Sequence, residues 1–458
     1  MSRVDRSRLP VPGPDRPFHF PRMAKRRLGN GLEVRAIPHH AVPLVSMCLL
    51  VPGGSAVDPP DRPGLVSLTA GLLDEGSRGQ SALEVADRVA RIGGDLDLDV
   101  GADAVVVSLT TLARYFETGL SIVHEMVTEP TLAEADFDRV RRLRVERLRQ
   151  LRDHASAVAD RAFAGGLYGA HPYGHLGLGT ERSLTALEVR DVRALHQSLF
   201  TPDGATLVVS GDRAEAELLD AAARAFEGWR PASTPPLDRT AALAPPPVMP
   251  AARLAVVGRP GAQQSELRIG RVCAARSTPD YPALLMLNTI LGGQFVSRIN
   301  LNLREAKGYT YGVRTGFDLR KGLGPFVLQT SVGTDSTADA VREALRELSD
   351  IGSVRPATEE EVALGLASVS KGYPRGFETA VQVARSAVQL ALHGLADSYF
   401  EEFVPKLSAV TPADVTRVAQ HYLDVSTMTT VVVGDLDRIG GSLEQAGLGP
   451  PVPVVPDF

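Results

Sequence analysis

Apolar residues follow helical spacing in one part of the second half of the chain and a strand-like pattern just after it. Residues 284, 287 and 291 are leucines at helical spacing. The Thr-Pro-Asp at 278–280 is a helix-start signal, because proline is pre-set for the first turn. Gly308 is suited to end a helix, since glycine tolerates left-handed backbone. Residues 309–317 are rich in aromatic and β-branched residues, which predicts a strand.

The sequence also contains an internal repeat. Residues 183–212 and 408–437 share one order: a capped helix start, a helix with a late histidine, a short loop and an apolar strand that ends in Gly-Asp. The two histidines are His196 and His421. Two copies about 225 residues apart predict a duplicated domain.

The duplication predicts the domain organisation. An N-terminal domain spans residues 25–230 and a C-terminal domain spans 251–445, and the proline-rich stretch 231–250 joins them as a semi-rigid, extended linker. Residues 1–24 are rich in proline and arginine and predict a loose arm. Residues 446–458 are predicted to be a tail, too rich in proline for a helix or strand.

Composition excludes several classes of protein. The 458 residues are 44% hydrophobic and 22% charged, as in a globular protein long enough for two or more domains. A net charge of −5 gives no general attraction to nucleic acid, and two cysteines imply no disulfide framework. No signal peptide and no membrane span is recognisable, so we expect a cytoplasmic protein.

Arg304 and Tyr311 are the first candidates for chemistry. The predicted elements place Arg304 near a helix end and Tyr311 in the next strand, so that both side chains can point into one cleft. A guanidinium and a phenol there offer hydrogen bonds to a peptide carbonyl or carboxylate. The plain alternatives are an arginine that stabilises a helix C-terminus and an ordinary strand tyrosine. Tyr309 is a rival for the role of Tyr311.

His171 and His175 are four residues apart, which is a spacing used by metal ligands on a helix. Pro172 and Gly174 lie between the two histidines and oppose a helix. The two imidazoles therefore do not share a helix face, and we predict no metal site here.

Residues 137–154 predict an amphipathic helix whose polar face is crowded with arginine. Such a face is most often simply solvated, and the alternative is that it attracts an acidic peptide or partner. The arginines are Arg139, Arg141, Arg142, Arg144, Arg147, Arg149 and Arg152.

The segment LREAKGYTYGV at 303–313, with NTILGG and SRI upstream of it, resembles the C-terminal-half signature of the M16 peptidases, the family of pitrilysin and insulin-degrading enzyme. The resemblance covers roughly residues 25–440. It implies an α+β fold of two tandem homologous domains, each a mixed β-sheet with helices packed on one face, as in LuxS/MPP-like metallohydrolases. It also implies that Arg304 and Tyr311 form the Arg/Tyr pair that holds the substrate backbone beside a zinc ion.

The segment GLVSLTAGLLDEGS at 64–77 resembles the flanks of the family's zinc motif but lacks its centre. Active members carry HxxEH, whose histidines bind zinc and whose glutamate activates water. The matching positions here are Ser67, Ala70 and Gly71. Glu146 lies close to where the third ligand is expected, and one carboxylate does not hold zinc. We interpret Glu146 as a remnant or as an intrahelical partner of Arg142 or Arg149.

Together these features resemble the non-catalytic subunit of heterodimeric M16B peptidases. The resemblance implies that this chain binds no metal and supplies Arg304 and Tyr311 in trans to a partner subunit, which carries HxxEH and zinc. The substrate would be an unfolded peptide, with leader-peptide processing as one example. Two alternatives stay open: a proteolytically inactive structural or assembly subunit, and a stand-alone peptide-binding protein.

Overall fold

The computed structural model describes residues 18–230, 237–247 and 249–458. Most of the predicted N-terminal arm lies outside these residues, as do positions 231–236 and 248 of the predicted linker. Within the described part of the linker, Ala241–Leu243 form a single 3-10 turn, and Ala242 is buried.

Fourteen strands are present in the described residues. They are β1 (Ala24–Arg27), β2 (Glu33–Pro38), β3 (Leu44–Pro52), β4 (Gly76–Ser77), β5 (Gln80–Ser81), β6 (Asp95–Val100), β7 (Ala104–Leu112), β8 (Thr206–Gly211), β9 (Leu254–Gly258), β10 (Gln264–Ala274), β11 (Val313–Phe317), β12 (Gly324–Gly333), β13 (Thr429–Gly434) and β14 (Val452–Pro453).

The same residues form sixteen α-helices. They are α1 (Leu65–Ala70), α2 (Ala82–Arg91), α3 (Phe116–Thr128), α4 (Glu134–Arg152), α5 (Ala155–Tyr168), α6 (Glu181–Ala186), α7 (Val189–Leu199), α8 (Glu215–Phe226), α9 (Tyr281–Leu291), α10 (Arg298–Asn300), α11 (Thr337–Asp350), α12 (Glu359–Gly372), α13 (Ala380–His393), α14 (Tyr399–Ser408), α15 (Pro412–Tyr422) and α16 (Leu436–Leu443). A π-helical segment, Leu301–Ala306, continues directly from α10.

Each half of the chain builds one six-stranded mixed sheet. The first has the strand order β1-β2-β8-β3-β7-β6, and the second has the order β14-β9-β13-β10-β12-β11. The two orders match position by position. The strands that end the two sequence repeats, β8 and β13, both hold the third place, each parallel to one neighbour and antiparallel to the other. The predicted duplication is therefore visible in the topology.

The C-terminal segment differs from the prediction. Val452 and Pro453 pair in parallel with β9, at Ala255 and Val256, and Val454 continues with a backbone hydrogen bond to Val256. Proline lacks only the amide donor, and the edge position of β14 leaves one side of it without a partner strand, which is where a sheet tolerates proline. The tail thus takes the place in the second sheet that β1 takes in the first.

Alternate residues of the central strands face two different cores. In β3, Val45, Met47 and Leu49 pack on the helices of their own half, whereas Cys48 and Leu50 face the opposite side of the sheet. This two-residue alternation follows from the pleat. Because both sets are apolar, the strand reads as a continuous hydrophobic run, and each sheet needs a covering layer on both faces.

The second face of each sheet is covered by a helix from the other half. Helix α5 lies on the second sheet, where Ala159 and Phe163 share a core with Val431 and Val433. Helix α13 lies on the first sheet, where Val383, Ala384, Ala387 and Val388 pack against β3 and β8. The α+β fold of two sheet-and-helix halves is confirmed, and the expectation of helices on one face is correct only for each half's own helices.

Two smaller expectations concern the whole chain. Among the described residues, no helix combines the length and apolar character that a membrane crossing requires. Cys48 is buried, Cys273 is partly buried, and both are free thiols.

Candidate functional site

The segment between α9 and β11 is built around a tight helix end. The π-helical turn closes at Gly308, whose φ of +66° is in the left-handed region. The Gly308 amide donates to Arg304 O at 3.1 Å, and the Tyr309 amide donates to Leu303 O at 2.9 Å. These bonds satisfy carbonyls that a helix end otherwise leaves without a partner. The predicted role of Gly308 is confirmed.

The strand after this turn starts later than its composition indicates. It begins at Val313, so Tyr309 and Tyr311 both lie in the preceding loop, and the expectation that Tyr311 sits in the strand is wrong. The Thr310 hydroxyl bonds with the amide and carbonyl of Gly312 and so holds a local turn in place of a ladder. The buried Asn300 side chain pairs with both backbone groups of Val313 at 2.8 and 2.9 Å, which sets the first strand residue.

The structure separates the two candidate tyrosines. Tyr309 is partly buried against the core of the second half. Tyr311 is 92% exposed, and it lines a cleft of about 870 Å³. The geometry therefore leaves Tyr311, and not Tyr309, available to a ligand in this cleft.

Arg304 does not line the same cleft itself but contacts a residue that does. Its guanidinium lies 3.7 Å from the ring centre of Phe295, which lines the cleft, whereas Arg304 itself is not one of the described lining residues. Its Nη1 is buried and has no hydrogen-bond partner among the described residues. Its nearest carboxylate is Glu305, at 3.6 Å. Arg304 thus keeps unused donor capacity at the margin of the cleft.

The cleft walls come from both halves of the chain. Ser156 and Asp160 of α5 form one side, and the remaining lining belongs to the second half. Arg268 on β10 is buried and ties the two halves together, since it donates to Asp160 at 2.7 Å and to Glu266 at 3.1 Å. The floor is therefore polar and already paired, which leaves the loop residues to make new contacts.

Large apolar and aromatic side chains are exposed around Arg304. Four of them lie between residues 295 and 311, and we call them the 295–311 cluster: Phe295 (65% exposed), Val296 (63%), Leu301 (50%) and Tyr311 (92%). Phe295 and Tyr311 line the same cleft. A folded monomer seldom leaves such side chains together at its surface, unless the surface contacts a ligand or partner.

The region that resembles the zinc motif has a different interior. Ala70 is buried in the core of the first half. Arg144 on α4 donates from Nη1 to Ser67 Oγ at 2.7 Å and from Nη2 to Ser67 O at 2.6 Å. A Cβ at Gly71 would lie 2.5 Å from Arg144 Nη2. Burial lowers the pKa of Arg144 to about 10. A cation thus occupies the space between the matching positions, and these residues do not fit zinc.

Glu146 does not join Ser67, Ala70 and Gly71. Its side chain is 61% exposed and pairs with Arg149 at 2.8 Å, one of the two intrahelical partners that the sequence indicates. Within the described residues, no group of three or more histidine, cysteine or carboxylate side chains is arranged to hold a metal ion.

His171 and His175 have separate partners, as their loop predicts. His171 Nδ1 accepts from the Tyr173 amide at 3.1 Å, and His175 Nε2 contacts Asp58 at 3.1 Å. Asp58 also accepts from two amides at the start of α1, Gly64 and Val66. The loop is therefore part of the packing around α1.

Most arginines of α4 have partners within the chain. Arg139, Arg141, Arg149 and Arg152 pair with carboxylates of α4, α6 or Glu75, and Arg144 bonds to Ser67. Among the described residues, only Arg142 and Arg147 of this set form neither an ion pair nor a buried contact. The solvated interpretation of this face is the one that the contacts favour.

Sequence reasoning overlooked Phe295 and Asn300, and it placed Arg144 on the polar face of its helix rather than against Ser67. A signal existed for Arg144, since positions 137, 140, 144 and 148 recur at helical spacing and the other three are buried apolar residues. Phe295 and Asn300 carried no comparable signal, because their roles depend on contacts made by a turn.

Two protein-family models match the chain. One is described as "Insulinase (Peptidase family M16)" and matches residues 35–173. The other is described as "Peptidase M16 inactive domain" and matches residues 186–368. Together they cover most of both halves.

Similar proteins share the full architecture at low identity. The chain is 22% identical over 397 residues to an "uncharacterized zinc protease" of Streptomyces coelicolor, covering 86% of this chain and 85% of that protein. It is 24% identical over 412 residues to one of Mycobacterium tuberculosis, covering 88% and 91%. A crystal structure described as a peptidase M16 inactive domain from Pseudomonas fluorescens superposes with a TM-score of 0.82 at 22% identity, covering 90% of this chain and 98% of that one.

Proposed function

We propose that this chain, which belongs to the M16 peptidase family, is the peptide-binding subunit of a two-chain peptidase. Its partner would be an M16 chain that carries HxxEH and holds the zinc ion, since in this chain the space between the positions that match HxxEH is occupied by Arg144. The single observation that carries the proposal is the 295–311 cluster, an exposed apolar and aromatic surface beside a polar cleft.

The proposed place for an extended peptide is beside the edge of the second sheet. Strand β11 is last in the strand order and pairs only with β12 among the described strands. Asn300 already bonds the backbone of Val313, and the Thr315 amide donates to Gly292 O at 3.3 Å, so the peptide would lie in the cleft beside this edge rather than extend the sheet by a strand. The cleft lies along this edge, with Val313, Arg314 and Thr315 among its lining residues.

Arg304 and Tyr311 would then act on the peptide backbone. The exposed Tyr311 hydroxyl would donate to a carbonyl oxygen of a peptide in the cleft. The guanidinium of Arg304 lies over the Phe295 ring, 3.7 Å from its centre, and has at least one N–H group without a partner among the described residues. In the proposed complex it would donate to a carbonyl or carboxylate of the peptide. Donors held in place before the substrate arrives stabilise charge that develops on a carbonyl oxygen.

A second candidate function is an inactive M16 subunit that has a structural role or binds peptides alone. The observation that favours it is the filled site between α1 and α4, which leaves no room for zinc at the positions that match HxxEH. Under this alternative the 295–311 cluster would contact a partner or a peptide, and no hydrolysis would follow. Leader-peptide processing remains a prediction of the first function only, and a cytoplasmic location remains a prediction under either function.

The deciding experiment combines a binding assay with a peptidase assay. The chain alone is tested for binding to a fluorescent unfolded peptide, and then for hydrolysis with and without an HxxEH partner encoded near it. We expect binding by the chain alone, a 1:1 complex with the partner, and hydrolysis only by the complex. Binding without hydrolysis in a stable complex would favour the second candidate, and neither binding nor complex formation would refute both.

A further inference from the structure

The space between α1 and α4 holds a partly buried cation with unusual partners. Among the described residues, Arg144 has no carboxylate within ion-pair distance, and its guanidinium donates to one hydroxyl and one carbonyl, both of Ser67. Ser67 O belongs to the last turn of α1, where the carbonyl ends of the peptide dipoles favour positive charge. Removing a cation from water without a neighbouring anion costs free energy. The surrounding residues must therefore be arranged to stabilise this cation.

Position 144, and not 146, faces this site. Residues two apart on a helix point in directions about 200° apart, so one of the two must turn away. Glu146 pairs with Arg149 at the surface, while Arg144 lies on the same stripe as the buried Val140 and Leu148. A side chain at 144 therefore meets the side chains at 67 and 71 directly.

The guanidinium of Arg144 also fills the space beside Gly71. A Cβ at residue 71 would come within 2.5 Å of Arg144 Nη2, which is closer than non-bonded atoms approach. A histidine at 71 would therefore require the guanidinium of Arg144 to move. Gly71 has no side chain, and this leaves the room that the guanidinium of Arg144 occupies.

We propose that Arg144 takes the place of a metal ion in this fold. Its guanidinium is a cation, supplied by the protein itself, that lies between α1 and α4 and excludes metal. Position 144 is the point on α4 from which a third ligand would reach residues 67 and 71. The proposal concerns the first half alone and does not rest on the peptide-binding function of the second half.

Zinc binding by designed variants tests it. Ser67→His/Gly71→His with Arg144 retained should hold no stoichiometric zinc after dialysis. Adding Arg144→Glu supplies two imidazoles and a carboxylate, the set used by many catalytic zinc sites, and should raise the content to about one zinc per chain. Equal zinc in both variants would show that Arg144 does not exclude metal. A triple variant that folds, by circular dichroism, yet binds no zinc would show that position 144 does not face the site.

Chemical rescue keeps the proposal testable if the histidine variants do not fold. Arg144→Ala should lower Tm, and free guanidinium at millimolar concentration should recover part of that loss, whereas sodium chloride at equal ionic strength should not. Arg139→Ala is the matched control: Arg139 is also on α4 but is half-exposed and pairs with Glu75 and Asp136, so guanidinium should not raise its Tm. An unchanged Tm in Arg144→Ala, or no selective recovery, would overturn the proposal.

Discussion

Tyr311→Phe is the sharpest test of the proposed function, because it removes one hydroxyl and nothing else. The side chain is 92% exposed and belongs to neither sheet, so the change leaves no cavity and no buried group without a partner. Surface substitutions of this kind alter the free energy of unfolding by less than about 0.5 kcal/mol. Tm and the affinity for an HxxEH partner should therefore be unchanged.

The effect on hydrolysis should be large in comparison. Removing one prepositioned donor from a developing oxyanion costs on the order of 10²–10³ in kcat. At RT of about 0.6 kcal/mol, this corresponds to roughly 2.7–4 kcal/mol of transition-state stabilisation. Because the same hydroxyl does little for a ground-state peptide, kcat should fall more than the affinity for peptide.

The assay is hydrolysis of a quenched fluorescent peptide by the assembled complex, with kcat and KM measured separately. Tyr309→Phe is the control, since Tyr309 is partly buried against the core and lies outside the described cleft lining. Loss of kcat in Tyr309→Phe but not in Tyr311→Phe would exchange the two roles. Full activity in both variants, in a complex that cleaves peptides, would refute the assignment of a donor to this loop.

Further predictions concern neighbouring groups and the metal. Arg304→Ala should lower kcat/KM sharply and Arg304→Lys should restore it only in part, because an ammonium lacks the planar fork; the same peptide assay measures both. Phe295→Ala should lower kcat/KM less than Arg304→Ala does, since it removes only the stacking surface; Leu83→Ala, at an exposed leucine of α2 outside the cleft lining, is the silent control. Elemental analysis of the purified chain should find no stoichiometric zinc. Burial alone would raise the pKa of Glu125, but hydrogen bonds from Arg88 and Ser121 lower it overall. A carboxyl with a lowered folded pKa stabilises above its ordinary value of 4.5 and loses this contribution as pH falls. Glu125→Gln should therefore lower Tm at neutral pH and flatten its dependence on pH below 4.5.

Local signals predicted the duplicated architecture well. The repeat that ends in Gly-Asp marks β8 and β13, and the topology places both in the same position of their sheets. Gly308 was predictable because a helix end with left-handed backbone requires a residue without a side chain. Such features depend on a few adjacent residues, and the sequence states them directly.

Contacts between distant segments were not predictable from these signals. Composition extended the strand to Tyr309, but Asn300, thirteen positions before Val313, determines where the ladder begins. The helix pattern of α5 shows that it needs a partner surface, and nothing in it says that the surface is the second sheet. Periodicity identifies which face of an element is buried and leaves open what covers it.

The reciprocal placement of α5 and α13 gives the cleft its stability as a site. Each helix fills the face of a sheet that the other half builds, so neither sheet has a complete core without the opposite half. Asp160 on α5 also pairs with Arg268 in the cleft floor, which ties the position of that wall to the packing between the halves. Packing between the halves thus holds the floor and wall of the cleft in place around an exposed loop. Such a frame can present Phe295, Arg304 and Tyr311 without refolding when a peptide binds. The first half shows the opposite outcome of the same duplication, since its corresponding helix region is closed by Arg144. The first half is therefore closed at the positions that resemble the zinc motif and the second half has an open cleft, as the proposed function requires.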